Sequence, residues 1–233
     1  MSETVTTTLE NGVAVVRMDD GKVNVISHRV IDLLHDALDR AEKDARAVAI
    51  LGREGKLSGG FDLSVMTASP DAARGLVQRG GELLMRIYGH PQPVVVGVTG
   101  HALAAGALLV LACDTRIGAD GPFKIGLNET AIGLGLPVYA VELARERLSK
   151  RWYTRSAIQA EIFDPAGAVA AGYLDRVVAA AELEQETIAE AARLGEFRAG
   201  AYRTTKEKSR RAVIDRVLEG LDADLESFAG PDA

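Results

Sequence analysis

The order of the apolar runs is the feature that most constrains how this chain can fold. Through the first half, short β-rich runs alternate with segments whose apolar residues recur at helical spacing, and beyond Pro137 the spacing is mainly helical. The β-rich runs 5–9 and 13–18 are separated by a turn that contains an Asn-Gly pair, which is typical of a hairpin. No fixed-period repeat and no linker rich in Pro, Gly or Ser is present. We therefore predict an α/β protein that opens with antiparallel strands and ends in helices.

Capping residues mark the starts of three predicted helices. Ser27, Ser69 and Asp164 each precede apolar residues at helical spacing, and a proline directly follows two of them. Two buried strands are predicted at 47–51 and 94–98, and the second is followed by a loop of small residues at 99–104. An apolar helix is predicted at 105–112 and a last long helix at 201–225. The predicted loop therefore leads directly into the apolar helix.

Charge and cysteine content exclude several classes of function. The chain has 33 acidic and 27 basic residues, a formal charge of -6, so neither a nucleic-acid surface nor a membrane surface is expected. The single cysteine, Cys113, rules out an internal disulfide framework, and its apolar neighbours predict a buried, inert thiol. No metal-ligand spacing is found, no run approaches the roughly 18 apolar residues that span a bilayer, and the first residues do not resemble a signal peptide. We expect a cytoplasmic enzyme without a metal.

Two glycine-containing segments could each hold a ligand. In segment 58–63, Gly59 and Gly60 permit backbone angles at which amide groups face a ligand, although an ordinary turn would explain the same residues. Segment 100–106 precedes the apolar helix, where free N–H groups and the helix dipole can bind an anion. Tight packing of the helix is the alternative there. Each segment alone is a weak signal.

An isolated acid, Glu129, lies between the apolar residues Leu127, Ala131 and Ile132. Apolar surroundings disfavour the charged form of a carboxylate, which raises its pKa and suits it to take up and return a proton near neutral pH. An exposed loop acid or a helix cap is the alternative. The combination of this acid with the two glycine segments is more specific than any one of them.

Together the three segments resemble the crotonase (enoyl-CoA hydratase/isomerase) superfamily. Segment 58–63 resembles its S-A-G-x-D-L signature, with Gly59 in place of the usual alanine. Segment 100–114 resembles G-x-A-x-G-G-G-x-x-L-x-x-x-C-D, with alanines at positions 104 and 105. Segment 125–133 resembles the I-G-L-N-E-T motif of the Δ3-Δ2-enoyl-CoA isomerases. The resemblance extends over nearly the whole chain.

The resemblance implies a fold and an assembly. The fold is an α/β spiral of repeated strand-strand-helix units over residues 1–195, followed over 196–233 by a helical region that forms trimers in the superfamily. This region is shorter than usual, since the chain stops soon after Phe228, so the acyl-chain length and the details of assembly stay open. A homotrimer or a dimer of trimers is expected.

The resemblance also implies roles for individual residues. The backbone N–H groups of Phe61 and Ala105 would form the oxyanion hole for the thioester oxygen, and Glu129 would be the catalytic base. The substrate is an acyl-CoA thioester, and because coenzyme A is part of that substrate no separate cofactor is expected. Contacts with the substrate are implied for Gly59, Gly60, Asp62, Leu63, Ser64, Leu108, Asn128 and, less directly, Lys22.

Leu108 bears on the choice between hydration and isomerisation. Hydratases of the superfamily carry the first of two glutamates at this position, and an alkyl side chain neither orients water nor exchanges a proton. We therefore predict an isomerase in which Glu129 moves a proton from the α to the γ carbon of a 3-enoyl thioester, as part of fatty-acid metabolism. A hydratase that uses Glu129 alone and an acyl-CoA-binding protein without turnover are the alternatives.

The remaining conspicuous side chains have structural interpretations. The four histidines lack the spacing of a metal site or a catalytic triad, so each is expected to be structural. The basic residues within 206–211 are predicted to form a solvated helix face, with a phosphate contact to coenzyme A as the alternative.

Overall fold

Eleven strands are present in the structure, a computed structural model that describes residues 4–226 and 228. In chain order they are β1 (Val5–Glu10), β2 (Val13–Met18), β3 (Val25–Ile26), β4 (Ala47–Leu51), β5 (Gly55–Ser58), β6 (Gly60–Phe61), β7 (Val94–Val98), β8 (Gly100–Leu103), β9 (Thr115–Ala119), β10 (Ile125–Gly126) and β11 (Arg176–Val178). The predicted hairpin is confirmed, since Asn11 and Gly12 join β1 to β2 with positive φ angles of 53° and 77°.

Eight α-helices connect or follow these strands within the same described residues. They are α1 (His28–Asp44), α2 (Leu63–Met66), α3 (Pro70–Gly89), α4 (Ala105–Ala112), α5 (Val138–Arg147), α6 (Pro165–Ala171), α7 (Leu183–Gly195) and α8 (Ala199–Glu226). The three predicted caps are confirmed. The side chains of Ser27, Ser69 and Asp164 accept hydrogen bonds from backbone N–H groups three residues further on, at 3.3, 3.1 and 2.7 Å.

Successive turns of the chain place one strand in each of two sheets. The main sheet has the order β1-β2-β4-β7-β9-β11, in which only β1 and β2 are antiparallel. The strands β5, β8 and β10 come next in sequence after β4, β7 and β9, and they form a second, parallel sheet in the order β10-β8-β5. A short third sheet pairs β3 with β6. The chain therefore winds as a spiral of strand-strand-helix units, as predicted.

One strand lies where a loop was predicted. The small residues of 99–104 were expected to form a loop, but Gly100–Leu103 is β8, which pairs with β5 on one side and β10 on the other. The prediction was wrong because partners distant in sequence, rather than local propensity, determine this strand. Because β8 is held between β5 and β10, the start of α4, which follows β8, has a fixed position beside β6.

Helices cover both faces of the main sheet. Val13 and Val15 of β2 pack in a cluster with residues of α7, whereas Ala14 and Val16 belong to the core formed by the other helices. This alternation follows from the two-residue period of a strand. The apolar helix α4 is buried at every position and packs against α3 and α5. The described part of α8 packs on α3 and α5 through Val213 and three further apolar residues, which are Val217, Leu221 and Leu225.

The basic segment of α8 is only partly solvated, which corrects the prediction. Lys206 and Arg210 turn inward to Asp114, which follows α4, with N–O distances of 2.7 and 2.6 Å. Burial opposes charge on these groups, yet the two cations hold the pKa of Asp114 below its usual value, and burial lowers the pKa of Lys206 only to about 8. At neutral pH the cluster is therefore one buried anion between two cations, joining α8 to the end of α4.

The boundary between α7 and α8 lies where the resemblance places the helical region. That division, residues 1–195 and 196–233, stays a prediction, and within it residues 1–3, 227 and 229–233 lie outside the described residues.

Cys113 is fully buried and its pKa is raised by burial to about 12, so the prediction of a buried thiol is confirmed.

Candidate active site

A pocket of about 280 Å³ opens where three successive units of the spiral meet. The turn between β5 and β6, the junction of β8 with α4, and the segment after β10 each form part of its wall, and α5 closes one side. Its lining residues are Gly59, Phe61, Leu63, Met66, Val77, Leu103, Ala104, Leu108, Asn128, Glu129, Ile132, Leu134, Gly135, Pro137, Tyr139 and Phe228. The two predicted glycine-containing segments and the predicted acid therefore meet at one place.

The two segments that carry the predicted oxyanion-hole amides approach each other closely at a glycine. Gly60 has a φ of 105°, and a Cβ atom there would lie 3.1 Å from Cβ of Ala104 and 3.6 Å from the backbone nitrogen of Ala105. Only glycine adopts this conformation and allows this approach without strain. Ala105 is the first residue of α4, so its N–H group has no acceptor within the helix. Phe61 follows Gly60 in β6 and lines the pocket, and Ala105 follows the lining residue Ala104 in sequence.

The junction of β8 with α4 has a strained backbone. Ala104 has φ 50° and ψ -125°, a combination that residues with a side chain rarely adopt. Hydrogen bonds hold it there, since its N–H group donates to the carbonyl oxygen of Gly126 at 3.1 Å and its carbonyl oxygen accepts from the N–H group of Leu108 at 3.0 Å. Such a conformation costs about 1–3 kcal/mol. The superfamily signature has glycine at this position, whereas here an alanine adopts the strained conformation.

Glu129 sits at the start of a single 3-10 turn, Thr130–Ile132, which ends at Gly133 with a φ of 82°. Glu129 is 8% exposed, and its Oε2 atom has no hydrogen-bond partner among the described residues. Burial raises the pKa of the carboxyl group to about 7, although the backbone N–H groups of Glu129 and Asn128 act in the opposite direction. A carboxyl group with this pKa can accept and return a proton at neutral pH.

The wall around Glu129 is mainly apolar. Leu108 is 1% exposed and lines the pocket from α4, where the resemblance places the first glutamate of hydratases. Among the described residues that line the pocket, Glu129 is the single carboxylate. Asn128 also lines it, and the Oδ1 atom of this side chain is buried with no hydrogen-bond partner in the described structure. The pocket can therefore receive a hydrocarbon chain beside one proton-exchanging group.

The other predicted substrate contacts divide into two groups. Gly59 and Leu63 line the pocket, and Leu63 is 67% exposed at its mouth. Asp62 and Ser64 do not line it, because the Asp62 carboxylate caps α2 by accepting hydrogen bonds from the N–H and hydroxyl groups of Ser64, at 2.9 and 2.6 Å. Lys22 is exposed outside the pocket wall.

Lys22 nevertheless lies near the glycine segment. Its N–H group donates to Asp20 at 2.7 Å, its carbonyl oxygen accepts from Arg53 at 2.9 Å, and the next residue, Val23, lies 3.4 Å from where a Cβ atom of Gly59 would be. The backbone at Lys22 is therefore fixed beside Gly59, while its side chain stays in solvent.

Tyr139 and Phe228 are among the lining residues that were not anticipated from the sequence. Tyr139, at the start of α5, is fully buried, and Phe228 lies just beyond α8. Tyr139 occupies an apolar position of a helical pattern, which is also what an ordinary core residue does. A proline two residues before it marks the start of the helix, but no sequence signal indicated that the ring borders the pocket. Its position depends on how α5 packs against Gly81 of α3, where a Cβ atom would lie 2.6 Å from the ring.

Comparison with known sequences adds to this geometry. The sequence model of the enoyl-CoA hydratase/isomerase family matches residues 8–232. The chain belongs to this family. It is 31% identical over 222 residues to human mitochondrial enoyl-CoA delta isomerase 1, which covers 93% of this chain and 74% of that protein.

Solved structures of the enoyl-CoA hydratase/isomerase family superpose closely. A family protein from Pseudomonas syringae has a TM-score of 0.94 at 46% identity, covering 97% of this chain and 98% of that one. An enoyl-CoA hydratase from Mycobacterium marinum has a TM-score of 0.92 at 34% identity, covering 97% and 100%. These superpositions confirm the predicted crotonase-like α/β fold with its C-terminal helical region.

Family membership confirms the prediction of an enzyme that acts on acyl-CoA thioesters. Relatives of similar identity carry the names of isomerases and of hydratases. Membership of the family therefore does not distinguish between isomerisation and hydration. None of the helices in the described part of the chain has the length and apolar character to cross a membrane. Within residues 4–226 and 228, His, Cys, Asp and Glu side chains form no group that could hold a metal ion.

Proposed function

We propose that this enzyme isomerises 3-enoyl-CoA to 2-enoyl-CoA. One observation carries the proposal: Glu129, with a pKa of about 7, is the single carboxylate among the described lining residues, and the wall beside it contains Leu108 instead of a second acid. One carboxyl group is enough to move a proton between two carbons of the same chain, whereas hydration also needs a positioned water molecule.

The reaction uses Glu129 twice. Its carboxylate removes a proton from the α carbon, the electrons of that C–H bond form a C1–C2 double bond, and the carbonyl π electrons move to the thioester oxygen. In the second transfer the carbonyl re-forms, the C1–C2 electrons become the new C2–C3 double bond, and the electrons of the old C3–C4 double bond take the proton from the Glu129 carboxyl group at the γ carbon. Between the two transfers the charge is held on the thioester oxygen as a dienolate. The N–H groups of Phe61 and Ala105 stabilise this charge, and oxyanion-hole donors of this kind contribute about 3–4 kcal/mol each.

Leu108 makes the hydratase reaction unfavourable. A water molecule that attacks the β carbon must be oriented and deprotonated, and an alkyl group beside it offers neither a hydrogen bond nor a proton acceptor. The same side chain does not hinder isomerisation, because the hydrocarbon part of the substrate packs against it.

The remaining substrate contacts are proposals of the same kind. We propose that segment 59–64 contacts coenzyme A, with Gly59 and Leu63 at the mouth of the pocket and Asp62 with Ser64 fixing the adjoining backbone. Lys22 then supplies a cation near that end of the substrate. Asn128 contacts the bound acyl group. The cytoplasmic location, the trimeric assembly and the absence of a separate cofactor stay predictions.

A turnover assay tests the function directly. Purified protein is given 3-hexenoyl-CoA or 2-hexenoyl-CoA, and the conjugated thioester is followed by its ultraviolet absorbance. We expect isomerisation to be at least about 100-fold faster than hydration, and Glu129→Gln to lose about 10²–10⁴-fold in kcat. Glu54→Gln, an exposed glutamate outside the pocket, is the control and should behave as wild type. Equal rates of the two reactions in wild type would refute the isomerase assignment.

A second pair of variants tests the role of the wall. Leu108→Glu should raise the ratio of hydration to isomerisation by about tenfold or more, because it restores a partner for water. Leu108→Gln has a side chain of the same size without the ionisable group and should change the ratio much less. If both variants change the ratio equally, pocket polarity and not the second acid determines the reaction.

A further inference from the structure

Tyr139 places a buried hydroxyl group without a partner in the wall of the pocket. The residue is fully buried, its ring packs on Gly81, and among the described residues its hydroxyl group makes no hydrogen bond. A buried polar group left unpaired costs stability, so an arrangement of the pocket that gives this hydroxyl group a partner is favoured.

Glu129 presents the complementary group. Its Oε2 atom is also buried without a hydrogen-bond partner in the described structure, and it lines the same pocket. Both residues line the pocket, and the negative charge of Glu129 adds to burial, the larger cause, in raising the pKa of Tyr139. A hydroxyl group can donate a hydrogen bond, and a carboxylate can only accept one. The Tyr139 hydroxyl group is therefore a donor in the same wall that is chemically suited to the unpaired oxygen of Glu129.

We infer that Tyr139 is a positioning residue for Glu129: with an acyl chain bound, its hydroxyl group donates a hydrogen bond to the Glu129 carboxylate and fixes the rotation of that group. This inference rests on the proposed function, because a base that serves two carbons must keep one orientation toward the acyl chain. The hydrogen bond also favours the charged form, so it keeps the base ionised once the site is dry.

Two other titratable side chains lie near these residues. Asp224, on α8, is the second anion near Tyr139, and its carboxylate also accepts a hydrogen bond from the N–H group of Val138 at 2.8 Å. Tyr173, which is buried and lies within the field of Glu129, does not line the pocket. No charged side chain among the described residues contributes to the pKa of Glu129. Tyr173 therefore serves as a matched control.

The test compares Tyr139→Phe with Tyr173→Phe, since each change removes one hydroxyl group from a buried ring. The protein is bound to hexanoyl-CoA, a saturated thioester that cannot isomerise, and the Glu129 carboxyl group is titrated by infrared difference spectroscopy from pH 5 to 9. The Glu129→Gln variant assigns the signal. We expect the pKa of Glu129 in the complex to be about one unit or more higher in Tyr139→Phe than in wild type, because the donor that stabilises the anion is lost. Tyr173→Phe should titrate as wild type.

Kinetics provide the second readout. With 3-hexenoyl-CoA at pH 7, Tyr139→Phe should lose about tenfold in kcat with less than about a twofold change in KM, and its kcat profile should move to higher pH. Coincident titrations of Tyr139→Phe and wild type would overturn the inference, as would a rise in KM without a pKa change, which would mean that the hydroxyl group contacts substrate or Asp224. Failure of Tyr139→Phe to bind hexanoyl-CoA would also overturn the inference.

The two proposals can fail separately. If wild type binds hexanoyl-CoA but does not isomerise 3-hexenoyl-CoA, the proposed function is wrong. The infrared titration still decides whether Tyr139 holds the Glu129 carboxylate, because that measurement does not depend on turnover.

Discussion

Removal of the buried anion between α4 and α8 should destabilise the protein strongly. The Asp114 carboxylate accepts hydrogen bonds from Lys206 at 2.7 Å, Arg210 at 2.6 Å and the backbone N–H group of Val94 at 2.8 Å. The side chains of Asp114, Lys206 and Arg210 are only 7, 5 and 13% exposed, so water screens their charges little. Asp114→Asn keeps the shape of the side chain but leaves two buried cations facing an uncharged amide.

The expected magnitude follows from this burial. Breaking a buried ion pair by removing one partner costs about 3–5 kcal/mol, compared with less than about 1 kcal/mol for an exposed pair. For a chain of this length, each kcal/mol shifts the melting temperature by about 2–4 °C, so Asp114→Asn should lower it by about 6–20 °C. Combining Asp114→Asn with Lys206→Met removes one unpaired cation and should recover part of the loss.

Thermal and urea denaturation followed by circular dichroism measure this effect. The matched control is Glu207→Gln, which breaks the exposed pair of Glu207 with Arg211 on the same helix. This control should change the free energy of unfolding by less than about 1 kcal/mol. If Asp114→Asn is no more destabilising than Glu207→Gln, the cluster does not hold α8 in place and the reasoning is wrong.

Three further predictions concern the pocket and the assembly. Only the carboxylate form of Glu129 can accept a proton, so kcat/KM for isomerisation should fall about tenfold per pH unit below the Glu129 pKa of about 7 and level off above it. A flat profile of kcat/KM from pH 5 to 9 would contradict this. Ala104→Gly should raise the free energy of unfolding by about 1 kcal/mol, because glycine relieves the backbone strain at this position. Ala105→Gly, within α4, should lower the free energy of unfolding by about as much. Denaturation curves in which Ala105→Gly is the more stable variant would exclude strain at Ala104. Light scattering at micromolar concentration should give three or six times the chain mass of 24.7 kDa, since Phe197 and Leu218 expose apolar surface near and on α8, and a monomer would rule out the predicted trimer.

Local sequence signals predicted the ends of elements well. Ser27, Ser69 and Asp164 cap helices through their own side chains, and the Asn-Gly pair sets its turn through its own backbone angles. Each of these signals acts within three residues. They needed no knowledge of the rest of the chain.

Contacts between distant segments could not be predicted in the same way. Lys206 is 92 residues away from Asp114, and a basic helix segment without its partner is indistinguishable from a solvated one. The strand β8 consists of small residues that favour a loop until β5 and β10 pair with it. Tyr139 follows an ordinary helical pattern, and only the packing of α5 on α3 brings it to the pocket. The spiral itself came from the resemblance and not from periodicity.

The division of the pocket among three turns of the spiral has a consequence for synthesis on the ribosome. Phe61, Ala105 and Glu129 leave the ribosome in that order, with β7 and α4 made between the first and the last. A nascent chain can therefore pair its early strands and bring the two backbone amides together before the base and the α5 wall exist. Such a partly wound chain has buried much apolar surface but has no means of proton transfer. A ribosome-bound chain that ends before Glu129 should therefore bury apolar surface without turnover, and activity should appear only in chains long enough to contain Glu129 and α5.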